Sequence, residues 1–389
     1  MTTAQAYTPF GIPQSGAQPE TFGYADVADG AAHETGGGIL LLDHAAPTLR
    51  NLIIQNNAAQ RGAGLYLANQ SHATLDTVTI QDNQTLGPDG EGAGVSCRTS
   101  TPQFTQVVIA ANTTAQRGGG FYGNQCPATL TQVTFTRNTG ARGGGVYLQA
   151  SAPVVFAAVT LQGNQASDDG GALYATMDVT LQLANSVLVG NRAADAGGAL
   201  YAGTRSSVTL VQSTVVQHQA SSVGGALVAF DATALTVQNS IVWNNTPNTV
   251  RSTNLSTIGF AHSIVGGSGG SAAWNSTFGT DNGGNWDVAP LFRQSPAPGA
   301  DGVWGTLDDA YGNLQLQEGS PAIDGGDNSL LPTGLTTDRA GQPRIVDGDL
   351  NGTATVDMGA YGNRPVQHPI SRSRPAPLRR QRPRPIRWR

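Results

Sequence analysis

The chain has 389 residues, of which 12 % are charged and 6 % aromatic, with 51 Gly, no Lys and a net charge of −5. Residues 1–361 hold 12 Arg against 26 Asp and Glu, a net of −14, so the body is too acidic to bind nucleic acid. No stretch reaches the length of a membrane-spanning helix, and so much Gly would penalise helix interiors throughout.

Residues 1–30, rich in Gly, Ala and Pro, read as an N-terminal cap or irregular segment. The start lacks a basic n-region and an apolar h-region, so the expectation is that an upstream segment is missing. From residue 31 a repeat begins. Eight small-residue triplets, from Gly36-Gly37-Gly38 to Gly224-Gly225-Ala226, have third positions 26, 30, 26, 25, 27, 27 and 27 residues apart. An apolar residue follows each one, as Leu65, Phe121, Leu173 and Leu227 do. In phase with the triplets runs a phrase ending apolar-x-x-Asn, giving Asn57, Asn83, Asn112, Asn138, Asn164, Asn191 and Asn244. His218 stands where one Asn is due.

The runs between markers are short, rich in Val, Thr, Leu and Ile, and alternate with a period near two. A fixed period of about 27 residues built from such strands means a solenoid, because one repeat cannot bury its own apolar side. The sequence therefore predicts an all-β, right-handed parallel β-helix of the pectin-lyase-like kind, with coils over 31–268. Asn side chains would stack as an amide ladder at one corner. Gly would take the left-handed backbone at the other.

The two cysteines, Cys97 and Cys126, fall at offsets three and six from their triplets, in adjacent coils but out of register. A disulfide and two free thiols are both compatible with this spacing, and the offset favours free thiols.

Two positions past the triplets come Tyr66, Ser96, Tyr122, Tyr147, Tyr174, Tyr201 and Val228. Strand alternation turns this column outward. Rings with polar tips suit sugars, or serve as a structural ladder that seals the rod. One position before the triplets come Arg61, Glu91, Arg117, Arg142, Asp169, Ala196 and Val223. Tyr66, Tyr122, Tyr147, Tyr174 and Tyr201, with Arg117 and Arg142, form the expected ligand-binding set. Asp168, Asp169 and Asp195 beside Arg142 form the alternative, catalytic set. They resemble polysaccharide lyases of this fold, in which acids hold Ca²⁺ and an Arg takes a proton; paired acids can also hydrolyse glycosides. A solvated charge ladder is the plain reading of the same acids.

Residues 269–361 are loop-rich. They carry Gly319-Ser320-Pro321-Ala322-Ile323-Asp324-Gly325-Gly326-Asp327, Asp338-Arg339-Ala340-Gly341-Gln342-Pro343-Arg344 and Val356-Asp357-Met358-Gly359-Ala360-Tyr361. These phrases resemble the end region of bacterial "choice-of-anchor Q" proteins, in which a parallel β-helix joins varied surface-anchoring tails. Gly362 replaces the Glu usual there. The coils resemble repeats of chlamydial polymorphic outer-membrane proteins, as in Gly170-Gly171-Ala172-Leu173 and Phe135-Thr136-Arg137-Asn138. Both resemblances imply an extracellular or cell-surface protein.

Within that region, Asp347, Asp349, Asn351 and the later Asp357 follow the D-x-D-x-N-G order of a Ca²⁺ loop. Asp301, Asp308 and Asp309 are a second candidate. No cofactor other than Ca²⁺ is expected, and the scattered His exclude zinc. Residues 362–389 are an Arg/Pro-rich tail, expected to be disordered: either a basic arm or GC-rich DNA read out of frame. The function expected is a non-enzymatic glycan-binding protein, adhesin or surface scaffold, partnered by a polysaccharide or cell-surface glycan. The alternative is a polysaccharide lyase or glycoside hydrolase. The oligomeric state is left open.

Overall fold

The computed structural model describes residues 21–23, 26–32, 34–247, 249–253 and 255–363. The Arg/Pro tail beyond residue 363 and the first 20 residues lie outside them. The expected solenoid is present: an all-β rod of about nine turns, about 27 residues each, with almost no helix. Every coil runs through three sheets. In one coil these are Val146–Gln149, Val154–Ala157 and Thr160–Gln162, followed by a short corner strand at Gln165–Ala166. The three sheets have nine, eleven and ten strands, all parallel. We call them the tyrosine sheet, the rear sheet and the flank sheet. Thr21–Gly23 and Asp26–Ala28 already pair in register with the next coil, so the stack is entered within the segment read as a cap.

Alternation decides what goes inside. Leu65, Val95, Phe121, Val146, Leu173 and Leu200 line the interior from the tyrosine sheet, all at most 1 % exposed. Ile54, Ile80, Ile109, Phe135 and Leu161 do so from the flank sheet, and the columns merge into one continuous core. The first Gly of each triplet turns the corner left-handed, as at Gly143 with φ 64°.

The asparagine ladder runs through the interior. Asn83 Nδ2 donates to Asn112 Oδ1 at 2.9 Å, Asn112 to Asn138 at 3.0 Å and Asn138 to Asn164 at 3.0 Å. Each amide donates its second proton to a carbonyl of the preceding coil, as Asn138 does to Ile109 at 2.8 Å. A second ladder was not foreseen. Where earlier coils place Val107, Val133 and Val159 inside, later ones place Ser186, Ser213, Ser240 and Ser263. Each serine hydroxyl accepts the N–H of the coil before, as Ser240 Oγ does from Ser213 N at 3.1 Å.

The cysteines correct one expectation. Cys97 and Cys126 form a disulfide, with Cα atoms 6.0 Å apart. Counting offsets misled because Gln125, at φ 52°, bends the chain just before Cys126. Cys97 pairs in register with Gly123, and the bend swings Cys126 back into the interior beside it.

Beyond the last coils the chain caps the rod and then runs back along it. Trp274 and Phe278 close the core end, with Trp274 against Phe260 at 5.6 Å between ring centres. Residues 287–361 lie along the outside of the flank sheet and build a second core. Outward positions there are Thr79, Gln81, Thr134 and Thr136 in early coils; they become Val187, Val189, Val216 and Ile241 in later ones, packed against Phe292, Leu316 and Met358. Gly163 and Gly190 mark the same contact. Arg137 and Gln217 hold the same left-handed backbone at φ 52° and 62°, so the turn itself does not need Gly. A Cβ at Gly190 would lie 2.3 Å from the Trp304 ring, and one at Gly163 2.1 Å from the Tyr311 hydroxyl. Close approach is the reason for Gly at both.

His218 is the weak rung. It is fully buried, its Nδ1 accepts Asn191 N at 3.0 Å, and its Nε2 has no partner. Burial pushes its pKa down from 6.5 to about 3. The unfolded chain takes up a proton below 6.5 and the native chain does so only near 3, so stability is lost as pH falls through that window. His218→Asn, which restores the amide, is expected to raise the melting temperature most near pH 4 and least at pH 8. Parallel melts at the two pH values check this.

Candidate functional site

The tyrosine column points outward by register, Tyr122, Tyr147, Tyr174 and Tyr201 being paired coil to coil. In-register strands place identical rings one above another. The ring centres are 5.5, 5.1 and 4.8 Å apart and nearly parallel. Tyr122 and Tyr147 are therefore only 1 % and 4 % exposed, although they face out. Tyr174 and Tyr201 are half-buried. Neighbouring rings occupy the ring faces, and what remains for a ligand is edges and hydroxyls. Burial raises the pKa of each ring in the column, that of Tyr201 to about 12, so the phenols stay neutral.

Arginines lie over this stack. Arg98 covers Tyr122 at 5.2 Å, Arg117 covers Tyr147 at 5.6 Å and Arg142 covers Tyr174 at 5.8 Å, each a cation–π contact. Arg98 was not singled out in the sequence. It shares a strand and a face with Ser96, the one residue that interrupts the column between Tyr66 and Tyr122, and its guanidinium covers the ring that Ser96 leaves bare. Arg61, Arg98 and Arg117 converge on one carboxylate, Glu91, with Arg61 at 3.5 Å and Arg117 at 3.8 Å. Three cations on one anion leave that end of the face positive.

The other end is negative. Asp168, Asp169 and Asp195 have carboxylate oxygens within 4.8 Å of one another, as the coil register brings them together. Arg142 is paired with Asp168 at 2.7 Å, and Asp169 accepts the N–H of Ala196 at 3.1 Å. Burial, then the Asp168 charge, pushes Asp169 up from 3.8 to about 6. Donating a hydrogen bond to Asp168 raises the pKa of Arg142. That is the wrong direction for an arginine that must take a proton from substrate.

The C-terminal phrases converge as well. Asp347 accepts the N–H groups of Asn351 at 3.0 Å and Gly352 at 2.9 Å, which closes a tight loop. Asp324, Asp347 and Asp349 gather their carboxylates within 4.8 Å. Asp357 does not join them, which corrects the expected ligand set. It is 3 % exposed and spends its oxygens on the N–H groups of Asp324 and Asn363. Asn351 Oδ1 accepts Thr353 N at 2.8 Å. Asp308 and Asp309 fold their carboxylates onto Ala300, Gly305 and Thr306 N–H groups, as turn locks. Arg344, 2 % exposed, donates to Asn185 Oδ1 and to Ala360 O at 2.9 Å, and Arg339 reaches Val159 O at 3.3 Å. The Asp338–Arg344 phrase thus pins the return segment to the rod.

Residues 37–282 match the family model of the right handed beta helix region, well over half of the chain, and the protein belongs to that family. No curated protein and no solved structure matches it significantly.

Asp169 gives a test of the acidic end. Its raised pKa favours the native state below about 3.8, and that gain is lost as pH rises through about 6. Asp169→Asn keeps an acceptor for Ala196 N and removes the charge. Thermal melts are expected to show the variant more stable than the parent at pH 7.5, with the difference vanishing by pH 4.

Proposed function

We propose that this β-helix is a secreted or cell-surface protein that binds an acidic polysaccharide or cell-surface glycan and does not turn it over. The observation that carries the reading is the guanidinium rail of Arg61, Arg98, Arg117 and Arg142, the last three of which lie over the stacked tyrosines. The side chains of Arg61, Arg117 and Arg142 are 37 %, 43 % and 45 % exposed. Arg61, Glu91, Arg117 and Arg142 occupy consecutive coils in one register. A polymer laid along the rod meets cations and phenol edges at the coil spacing, ~4.8 Å. Guanidinium groups bind carboxylate or sulfate in charge-assisted pairs, and many weak contacts on one chain add up.

Three features support the rest of the reading. A buried disulfide fits an oxidising compartment outside the cytosol. The end region resembles that of surface-anchored β-helix proteins. Cavities of about 670 and 420 Å³ lie at the end of the rod and under the return segment, and neither is lined by Asp168, Asp169 or Asp195. A lyase or glycosidase would need those acids and a free Arg142 in a cleft. In this proposal Ca²⁺ belongs to the loop of Asp324, Asp347 and Asp349, where hard carboxylate oxygens face one another.

Two measurements test this. Polygalacturonate is expected to retard the protein in affinity electrophoresis, more weakly as salt rises, and neutral dextran is not. Arg117→Gln with Arg142→Gln should weaken retention tenfold or more while the melting temperature stays near that of the parent; unchanged retention, or release of sugar from the polymer, overturns the reading. Separately, millimolar Ca²⁺ is expected to raise the melting temperature, because a ligand bound only by the native state stabilises it. Asp347→Ala with Asp349→Ala should abolish the rise.

A further inference from the structure

The repeat loses four residues at one place. Corner to corner, Gln219 pairs with Thr246, 27 residues on. The strand after that corner, Leu227–Ala229, pairs with Val250–Ser252, only 23 residues on. Between the corner and the tyrosine sheet, the earlier coil spends eight residues, Gln219 to Leu227, and this one four, Thr246 to Val250. The triplet turn is therefore missing from this coil. Where it would stand is the cavity of about 670 Å³, floored by Val223 of the preceding turn and walled by Pro247 and Thr249.

Its lining has a definite chemistry. Trp243 and Phe278 give two aromatic walls. Asn244, Asn275 and Thr277 add exposed amides and a hydroxyl, and Arg251 adds an exposed guanidinium. No carboxylate lines the cavity, and among the described residues none pairs with Arg251. Asn275 Oδ1 is taken by Thr277 N and Oγ1, at 3.1 and 2.8 Å, which holds both side chains at the rim.

We infer that this cavity is a binding site for a single carboxylate-bearing sugar unit, distinct from the rail. Aromatic walls suit the apolar face of a pyranose, amides and hydroxyls suit its hydroxyl groups, and an unpaired guanidinium suits its carboxylate. A neutral sugar would leave Arg251 without a partner. The inference extends the acidic-glycan reading from recognition along a polymer to recognition of one residue of it, and stands on different side chains.

The test is ligand-observed saturation-transfer NMR on the full chain with D-glucuronate, its methyl ester and D-glucose as probes. Glucuronate is expected to bind saturably with roughly millimolar affinity, and the ester and glucose at least tenfold more weakly. Arg251→Gln should weaken glucuronate tenfold or more. Val223→Phe, which fills the floor and removes no polar group, should do the same, so the result does not hang on one variant. Arg117→Gln with Arg142→Gln should leave the glucuronate signal intact, and Arg251→Gln should leave polymer retention intact, so the two sites can fail separately. Absence of binding, equal binding of glucose, or a signal lost with the rail and kept in Arg251→Gln overturns the inference.

Discussion

A polar group inside this rod has no water to turn to, so each buried amide must find its partners in the coils on either side. Asn112 shows the arrangement: it donates to Asn138 Oδ1 and to Ile80 O, and its own Oδ1 accepts from Asn83. A rung works only if the neighbouring coil arrives in register. That requirement fixes every other column, because registering the amides also registers the apolar stacks, the glycine corners and the outward tyrosines. Each tyrosine then meets its counterpart face to face, and each arginine of a corner lands over the ring of the coil that follows. The rail is a by-product of interior hydrogen bonding.

Features outside the regular pattern arise where the repeat departs from itself. Ser96 leaves a bare ring, and Arg98 covers it. Gly163 and Gly190 replace long side chains where Tyr311 and Trp304 press in. His218 replaces an amide and leaves one ring nitrogen unpaired. Four residues dropped before Val250 leave a cavity where a turn would stand. In a strictly periodic rod every coil offers the same shallow surface, so a concave site needs either a defect in the period or a segment laid over the coils.

The repeat made the architecture legible, because glycines, asparagines and apolar residues recur in one phase and only stacked coils satisfy all three. Direction of the tyrosine column was legible too, from alternation alone. Exposure was not: outward residues in register bury one another, which depends on ring stacking and on arginines contributed by other coils. Asp357 looked like a closing metal ligand by spacing, yet it packs inward near Arg344, and the carboxylate that lies with those of Asp347 and Asp349 is that of Asp324, from a phrase about 30 residues upstream. The docked return segment had a signal that periodicity analysis passes over: outward Thr and Gln giving way to Val187, Val189, Val216 and Ile241. Reading which face changes polarity along a solenoid, and in which coil, would have found it.

The rail and the cavity should respond differently to mutation, for a reason built into the rod. A polymer on the proposed rail would share its binding among several guanidinium groups, all partly neutralised by Glu91 or Asp168 and all exposed to salt. Removing one would weaken such binding by a fraction of the whole, because the remaining coils would still hold the polymer. Among the described residues the cavity is lined by one cation, Arg251, and by no carboxylate. For the proposed carboxylate ligand, loss of that group would remove the whole ionic contribution at once. Sequence drift would therefore be tolerated along the rail, coil by coil, provided the amide ladder stays in register. At the shortened corner, where aromatic walls and a single guanidinium come together once, it would not.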